Sequence, residues 1–211
     1  MGVAGLQGRS VLLLACGALA QEVLALKRLG GWDQVTVECL PSNLHNTPRK
    51  IPEAVRAKLE EAKERYDEIF VAYADCGTGG GLDAVLDEYG VERLPGAHCY
   101  EFYAGAERFA EIQGGEIGTF YLTDFMVRQF DAIVIRGLGI DRHPELQSVY
   151  FENYRRVVYL AQTDSPELAA KARKCAERLG LDFEMHFTGL DSFQRALSIE
   201  SDRSETLEES H

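Results

Sequence analysis

Short runs of apolar residues recur along the chain, and helical patterns fill the intervals between most of them. That alternation constrains the fold more than any other feature. The runs are Val11–Ala15, Val35–Cys39, Glu68–Tyr73, Val91–Leu94, Val157–Ala161 and Phe183–Phe187. Between the first two, Leu19, Val23, Leu26 and Leu29 return at helical spacing; after the second, Val55, Leu59 and Ala62 do the same. Gly30-Gly31 closes the first helix, Pro52 opens the second, and Gly180 follows a helix over Glu167–Leu179. Strands alternating with helices predict an α/β fold with a mostly parallel, doubly wound, Rossmann-like sheet. From about Tyr100 to Tyr154 the pattern is helix-rich and reads as a middle insertion. Helices are expected there over Tyr103–Ile112 and Asp124–Ile135, around a loop at Gly114–Thr119. Residues 1–199 read as a single α/β domain and 200–211 as a disordered acidic tail.

The 211 residues are 45% hydrophobic, enough to bury a substantial core. Net charge is −12 and the isoelectric point about 4.9, which excludes a phosphate-backbone partner and disfavours anionic membrane surfaces. No run approaches the ~20 apolar residues that span a bilayer. Ser10–Ala20 is apolar and follows Arg9, as an export signal would, but Gln21-Glu22-Val23-Leu24 continues a helical pattern and Val11–Leu14 reads as a buried strand. Five cysteines, an odd number without CxxC spacing, fit a reduced, cytoplasmic setting rather than a disulfide framework.

In a parallel sheet all the C-terminal strand ends open onto one edge, where ligands bind. Cys16, Cys39 and Cys76 sit at the ends of three predicted strands, and His98-Cys99 follows a fourth. Soft, anionic sulfur binds zinc, copper(I) and iron–sulfur clusters. Cys16, Cys76 and Cys99 are therefore expected to hold a zinc ion or an iron–sulfur cluster, with one position open for reaction. Cys39 lies in an otherwise ordinary strand, and Cys175 lies among Ala172, Ala176 and Leu179 as a core residue. His98, His45, Glu101 and Asp75 are the candidates for catalysis, further ligation or orientation of a ligand. His45 falls in a long polar loop, Pro41–Lys50, which has no strong helical or strand pattern.

Gly77-Thr78-Gly79-Gly80-Gly81 lies between a strand and a helix, where free N–H groups favour an anion. Gly77, Thr78, Gly79 and Gly80 are the candidate cofactor-binding residues, although the loop matches neither a P-loop nor GxGxxG. Tyr121, Asp124, Asp141 and Arg142 are candidates for a pocket wall, and Thr123 or Asp124 for a helix cap.

Five segments together resemble a prokaryotic family catalogued as domain of unknown function 1638. They are Ala15-Cys16-Gly17-Ala18, Leu40–Asn46, Tyr73–Gly80, Gly96–Phe102 and Gly118–Phe125, within a resemblance running from about Val11 to Leu197. The resemblance implies an association with corrinoid-dependent methyltransferase systems, hence with one-carbon metabolism. It carries over no catalytic set. The leading expectation is a metal- or iron–sulfur-dependent enzyme or accessory protein of methyl-group metabolism. Its partners would be a small-molecule substrate or methyl carrier, with a corrinoid reached through a corrinoid protein or methyltransferase. The alternatives are a non-catalytic module that binds a corrinoid, an anionic cofactor or a partner methyltransferase, and a metal-free enzyme using one cysteine as nucleophile.

Overall fold

A computed structural model describes residues 9–197. The acidic tail lies outside the described residues. All the strands are parallel, as the alternating pattern requires, and they fall into two sheets. The described residues divide into two compact units, one comprising residues 9–102 with 193–197, the other Tyr103–Ser192.

The first unit holds a four-stranded sheet in the order β2-β1-β3-β4. Its strands are β1 (Val11–Cys16), β2 (Val35–Leu40), β3 (Glu68–Ala72) and β4 (Glu92–Arg93). The helices between them are α1 (Ala20–Gly30), α2 (Ile51–Ala62) and α3 (Gly81–Tyr89). The sequence between β1 and β2 runs to one side of β1, and the crossover to β3 returns past it. Right-handed crossovers therefore place α1 on one face and α2 and α3 on the other. Arg56 of α2 accordingly forms a bidentate ion pair with Glu88 of α3. β1 is buried along its whole length, which is why it reads as an unbroken apolar run. The winding reverses between β1 and β3, and their C-terminal ends form the switch point where open α/β sheets hold ligands. Cys16 ends β1, and Cys76 follows β3 by four residues.

The second unit holds β5 (Thr119–Leu122), β6 (Arg156–Ala161) and β7 (Asp182–Phe187) in sequential order. Ahead of them come α4 (Tyr100–Ala104), which begins in the first unit, and α5 (Ala106–Gly115). α6 (Asp124–Phe130), a π-helical extension over Asp131–Arg136, α7 (Leu146–Phe151) and α8 (Pro166–Leu179) complete the unit. Leu122, Val127, Phe130, Val157, Tyr159, Ala172 and Cys175 belong to its buried core, so Cys175 packs as a small hydrophobe. The helix-rich middle thus contains a short strand, β5, which begins where the expected loop Gly114–Thr119 ends and to which the sequence reading assigned no element.

Asp124 organises the C-terminal ends of β5 and β6. It is 1% exposed, and its carboxylate accepts bonds from Tyr159 Oη (2.6 Å), Gln162 N (3.1 Å), Thr163 N (3.2 Å) and the Thr163 hydroxyl. A buried carboxylate survives because its lone pairs are filled. The helix cap is Thr123, whose hydroxyl accepts from Met126 N at 3.4 Å. Tyr121 packs its ring 5.2 Å from that of Phe109, whereas Asp141 and Arg142 stand on the surface.

Candidate metal centre

Local sequence brings distant sulfurs to the switch point of the first unit. Cys16 ends β1 and caps the following 3₁₀ turn, Gly17–Leu19, its sulfur accepting from Ala18 N at 3.3 Å. Gly17 permits the next step. A Cβ there would lie 2.9 Å from Leu40 O and 3.2 Å from Ser42 N, so only glycine lets the loop after β2 come this close. That loop, expected to be irregular, is two short 3₁₀ turns, Ser42–Asn46 and Pro48–Lys50. The first delivers His45, whose Nδ1 lies 3.8 Å from Cys16 Sγ.

The other sulfurs arrive through the loops after β3 and β4. Their backbones stay paired beyond the strands: Asp75 N donates to Gly96 O (3.2 Å) and Cys76 N to Ala97 O (3.0 Å). Arg93 fixes the second loop by donating to Leu94 O and Gly96 O while its guanidinium grips Asp83. Cys76 Sγ then lies 3.4 Å from Cys99 Sγ. Cys76 has φ of 51°, the left-handed region that a non-glycine residue occupies only under constraint, and such outliers cluster at functional sites. The ligand atoms of His45, Cys76 and Cys99 all lie within 4.8 Å of one another. Cys16 stands outside that group, against His45. Of the expected trio, Cys76 and Cys99 come together, and His45, a candidate for further ligation, joins them, while Cys16 lies outside the group.

The electrostatics follow from this crowding. A hydrogen bond from Cys99, reinforced by His45, holds the Cys76 thiol down at about 5. Cys99 moves the opposite way, pushed up by the Cys76 sulfur and by burial. His45 rises to about 10 because it bonds to the Cys16 and Cys76 sulfurs. In the metal-free protein the site is thus a Cys76 thiolate, a Cys99 thiol and an imidazolium. Tyr73, wholly buried one residue beyond β3, has its phenol pushed up by burial first and then by the Cys16, Cys99 and Cys76 sulfurs.

The remaining candidates hold the site rather than join it. The glycine loop faces an anion, but that anion is the chain's own Asp75. Its carboxylate accepts from Gly77 N (3.2 Å), Thr78 Oγ1 (2.6 Å), Gly79 N (3.2 Å) and Gly80 N (2.9 Å). Those bonds hold Asp75 down at about 2. The N–H groups expected to cradle a cofactor are therefore committed, and the loop serves to fix the backbone beside Cys76. Glu101 likewise accepts from Ala97 N at 3.1 Å and steadies the turn before Cys99. His98 is exposed beside the Tyr100 ring and lies outside the ligand group. Cys39 is exposed on β2, its thiol raised by partial burial and by Cys16. Sequence reasoning missed Tyr73, which reads as one more residue of an apolar strand; its place two residues before Asp75-Cys76 was the available signal.

Three donors of this kind fit a thiophilic ion. Two Cys sulfurs and one imidazole are zinc ligands, and bonds of ~2.3 Å at a tetrahedral angle put two sulfurs ~3.8 Å apart, close to the spacing seen here. All five cysteines are free. Among the described residues no helix is long and apolar enough to cross a membrane.

A profile described as "Protein of unknown function (DUF1638)" matches residues 39–197. No curated protein matches the chain. Among solved structures, ornithine carbamoyltransferase from Pyrococcus furiosus is similar at 11% identity and a TM-score of 0.27. That match covers 87% of this chain, which spans about half (55%) of the length of the carbamoyltransferase.

Proposed function

The chain belongs to the DUF1638 family, and we propose that its His45, Cys76 and Cys99 hold a single thiophilic metal ion, zinc by the chemistry of the donors, with one coordination position open. The observation that carries this reading is the mutual approach of the three ligand atoms, all within 4.8 Å, at the switch point of the sheet. A 3.4 Å separation of two sulfurs suits one shared ion better than a [4Fe–4S] cluster, whose cysteines each ligate a different iron. Three protein ligands and a free position characterise a reactive zinc site rather than a closed structural one. When bound, the ion supplies Lewis acidity and lowers the pKa of whatever ligand occupies that position.

The protein's own groups have separate tasks. Cys76, held down at about 5, offers a thiolate at neutral pH without further activation. The Asp75-centred loop holds Cys76 in its left-handed conformation. Glu101 and Arg93 steady the turn that presents Cys99. His98, at the surface beside the site, is the group available to exchange protons with solvent. We place this centre in an enzyme or accessory protein of methyl-group metabolism, acting in a reducing cytoplasm on a small-molecule substrate or methyl carrier. A corrinoid would be reached through a partner protein. That assignment rests on the resemblance of the site-bearing segments, Tyr73–Gly80 and Gly96–Phe102.

A metal-free enzyme with Cys76 as nucleophile is the second reading, and the lowered Cys76 thiol favours it. A binding module for an external anion has less support, because Gly77, Gly79 and Gly80 donate to Asp75. X-ray absorption at the zinc edge separates the leading reading from its rivals. It is expected to show two sulfurs and one imidazole nitrogen, with a fourth light or exchangeable ligand. A shell of four sulfurs, or no zinc at all, would overturn it.

A further inference from the structure

Cys76 Sγ and Cys99 Sγ meet at 3.4 Å, and both thiols are free. A disulfide closes at about 2.05 Å, so the two sulfurs need to approach by only ~1.4 Å, shared between two side chains. Their loops are already held side by side, Asp75 N donating to Gly96 O and Cys76 N to Ala97 O. Paired chains run about 4.8 Å apart, within the span of disulfide-linked Cα atoms. Cys76 is only partly buried, which leaves it open to a small oxidant. The other cysteines are placed differently. Cys16 Sγ accepts from Ala18 N and faces His45, Cys39 stands exposed on β2, and Cys175 lies in the core of the second unit.

We propose that this pair is an oxidation site, which a small hydroperoxide converts into an intramolecular Cys76–Cys99 disulfide and a thiol reductant reopens. The Cys76 thiolate attacks one peroxide oxygen; the O–O bond breaks, leaving a sulfenic acid on Cys76 and hydroxide or alkoxide in solution. Cys99 then attacks the Cys76 sulfur. Its proton leaves with the hydroxyl as water, and the S–S bond closes. The two sulfurs have lost two electrons and the peroxide has gained them. In a reducing compartment such a bond is transient and senses oxidant rather than bracing the fold. One consequence rests on the metal reading above. Zinc needs both sulfurs as thiolates ~3.8 Å apart, whereas the disulfide holds them at ~2.05 Å without charge. The ion and the disulfide therefore exclude each other: oxidation ejects the ion, and the bound ion shields the pair.

The test treats the full chain, reduced and stripped of metal, with dilute hydrogen peroxide and maps its cross-links by mass spectrometry. The wild type is expected to lose two hydrogen atoms, to yield a linked Cys76–Cys99 peptide and to regain both thiols in dithiothreitol. Cys39→Ser should behave alike, because Cys39 stands exposed outside the pair. In Cys99→Ser the reaction stops at the sulfenic acid, so dimedone should label Cys76 there and not in the wild type. If Cys99→Ser fails to fold, the wild-type cross-link map decides alone. Dimedone on wild-type Cys76 without a cross-link, or Cys76 joined to Cys16 or Cys39, overturns the proposal. One equivalent of zinc should slow cross-linking about tenfold and be released mole for mole as the bond forms. A zinc-loaded chain that cross-links at the metal-free rate, or that keeps its zinc, overturns the exclusion. A chain that cross-links but binds no zinc overturns the metal reading and leaves the disulfide standing.

Discussion

Cys76 Sγ and Cys99 Sγ lie 3.4 Å apart although 23 positions of sequence separate them. Neither residue is in a strand. The contact exists because the loops after β3 and β4 continue the parallel pairing of their strands, through Cys76 N to Ala97 O. One consequence is chemical: each sulfur sets the other's acidity, in opposite directions.

Thiol alkylation of the metal-stripped protein should therefore be selective. Cys76 titrates at about 5, so its reaction with iodoacetamide is expected to be nearly independent of pH from ~6 to ~8, where an ordinary thiol gains about tenfold per unit. The rate should fall only as pH drops through about 5, where the thiolate takes up its proton. Cys39 is exposed but raised, and should be the slower site at neutral pH. Peptide mapping of the first label checks this, and a steep rise of the Cys76 rate between pH 6 and 8 would contradict it.

Asp75 makes a separate prediction about stability. Its folded pKa, about 2, lies below the unfolded value, so its contribution is present above ~4 and is lost as pH falls through about 2. Asp75→Asn should destabilise the protein at pH 7 by about 1 kcal/mol, a figure reduced for the solvent screening of a partly open group. The gap between variant and wild type should narrow in denaturant titrations taken from pH 5 down to pH 2. A gap that stays constant would mean the carboxylate charge does not hold the loop.

In the second unit, Asp124→Ala strands the Tyr159 hydroxyl and the Gln162 and Thr163 backbone donors. A loss of about 3 kcal/mol is expected, near the top of the range for buried groups left without partners. Urea unfolding measures it. A loss under ~0.5 kcal/mol would show the network to be incidental.

Much of this was legible from sequence, for identifiable reasons. β1 announces itself because it is buried on both faces, and Gly31 closes α1 in the left-handed conformation its position requires. The gathering of Cys76 and Cys99 at one edge follows from parallel topology, which needs only the order of elements. β5 escaped because Thr119–Leu122 offers four residues between a glycine and a helix cap, too few to show a period. His45 was legible only as a candidate for further ligation, because its approach to Cys16 depends on a close contact at Gly17, between segments whose pairing no local pattern encodes. Asp75 and the glycine loop read as an anion site; that the carboxylate two to five positions back fills it is a matter of turn geometry.

Cys16 tests the ligand set. Cys16→Ser is close in size and should keep the metal, because Cys16 stands outside the group of His45, Cys76 and Cys99. A metal content reduced as far as in Cys99→Ser would make Cys16 a full ligand and the site a closed one.

The most direct measurement is the metal content of the untagged protein, purified without oxygen and quantified by elemental analysis. About one zinc per chain is expected, falling to near zero in Cys76→Ser and His45→Ala while both variants keep the wild-type circular dichroism. A wild-type protein that carries no metal from any preparation, and takes none up when zinc is supplied, would contradict the account.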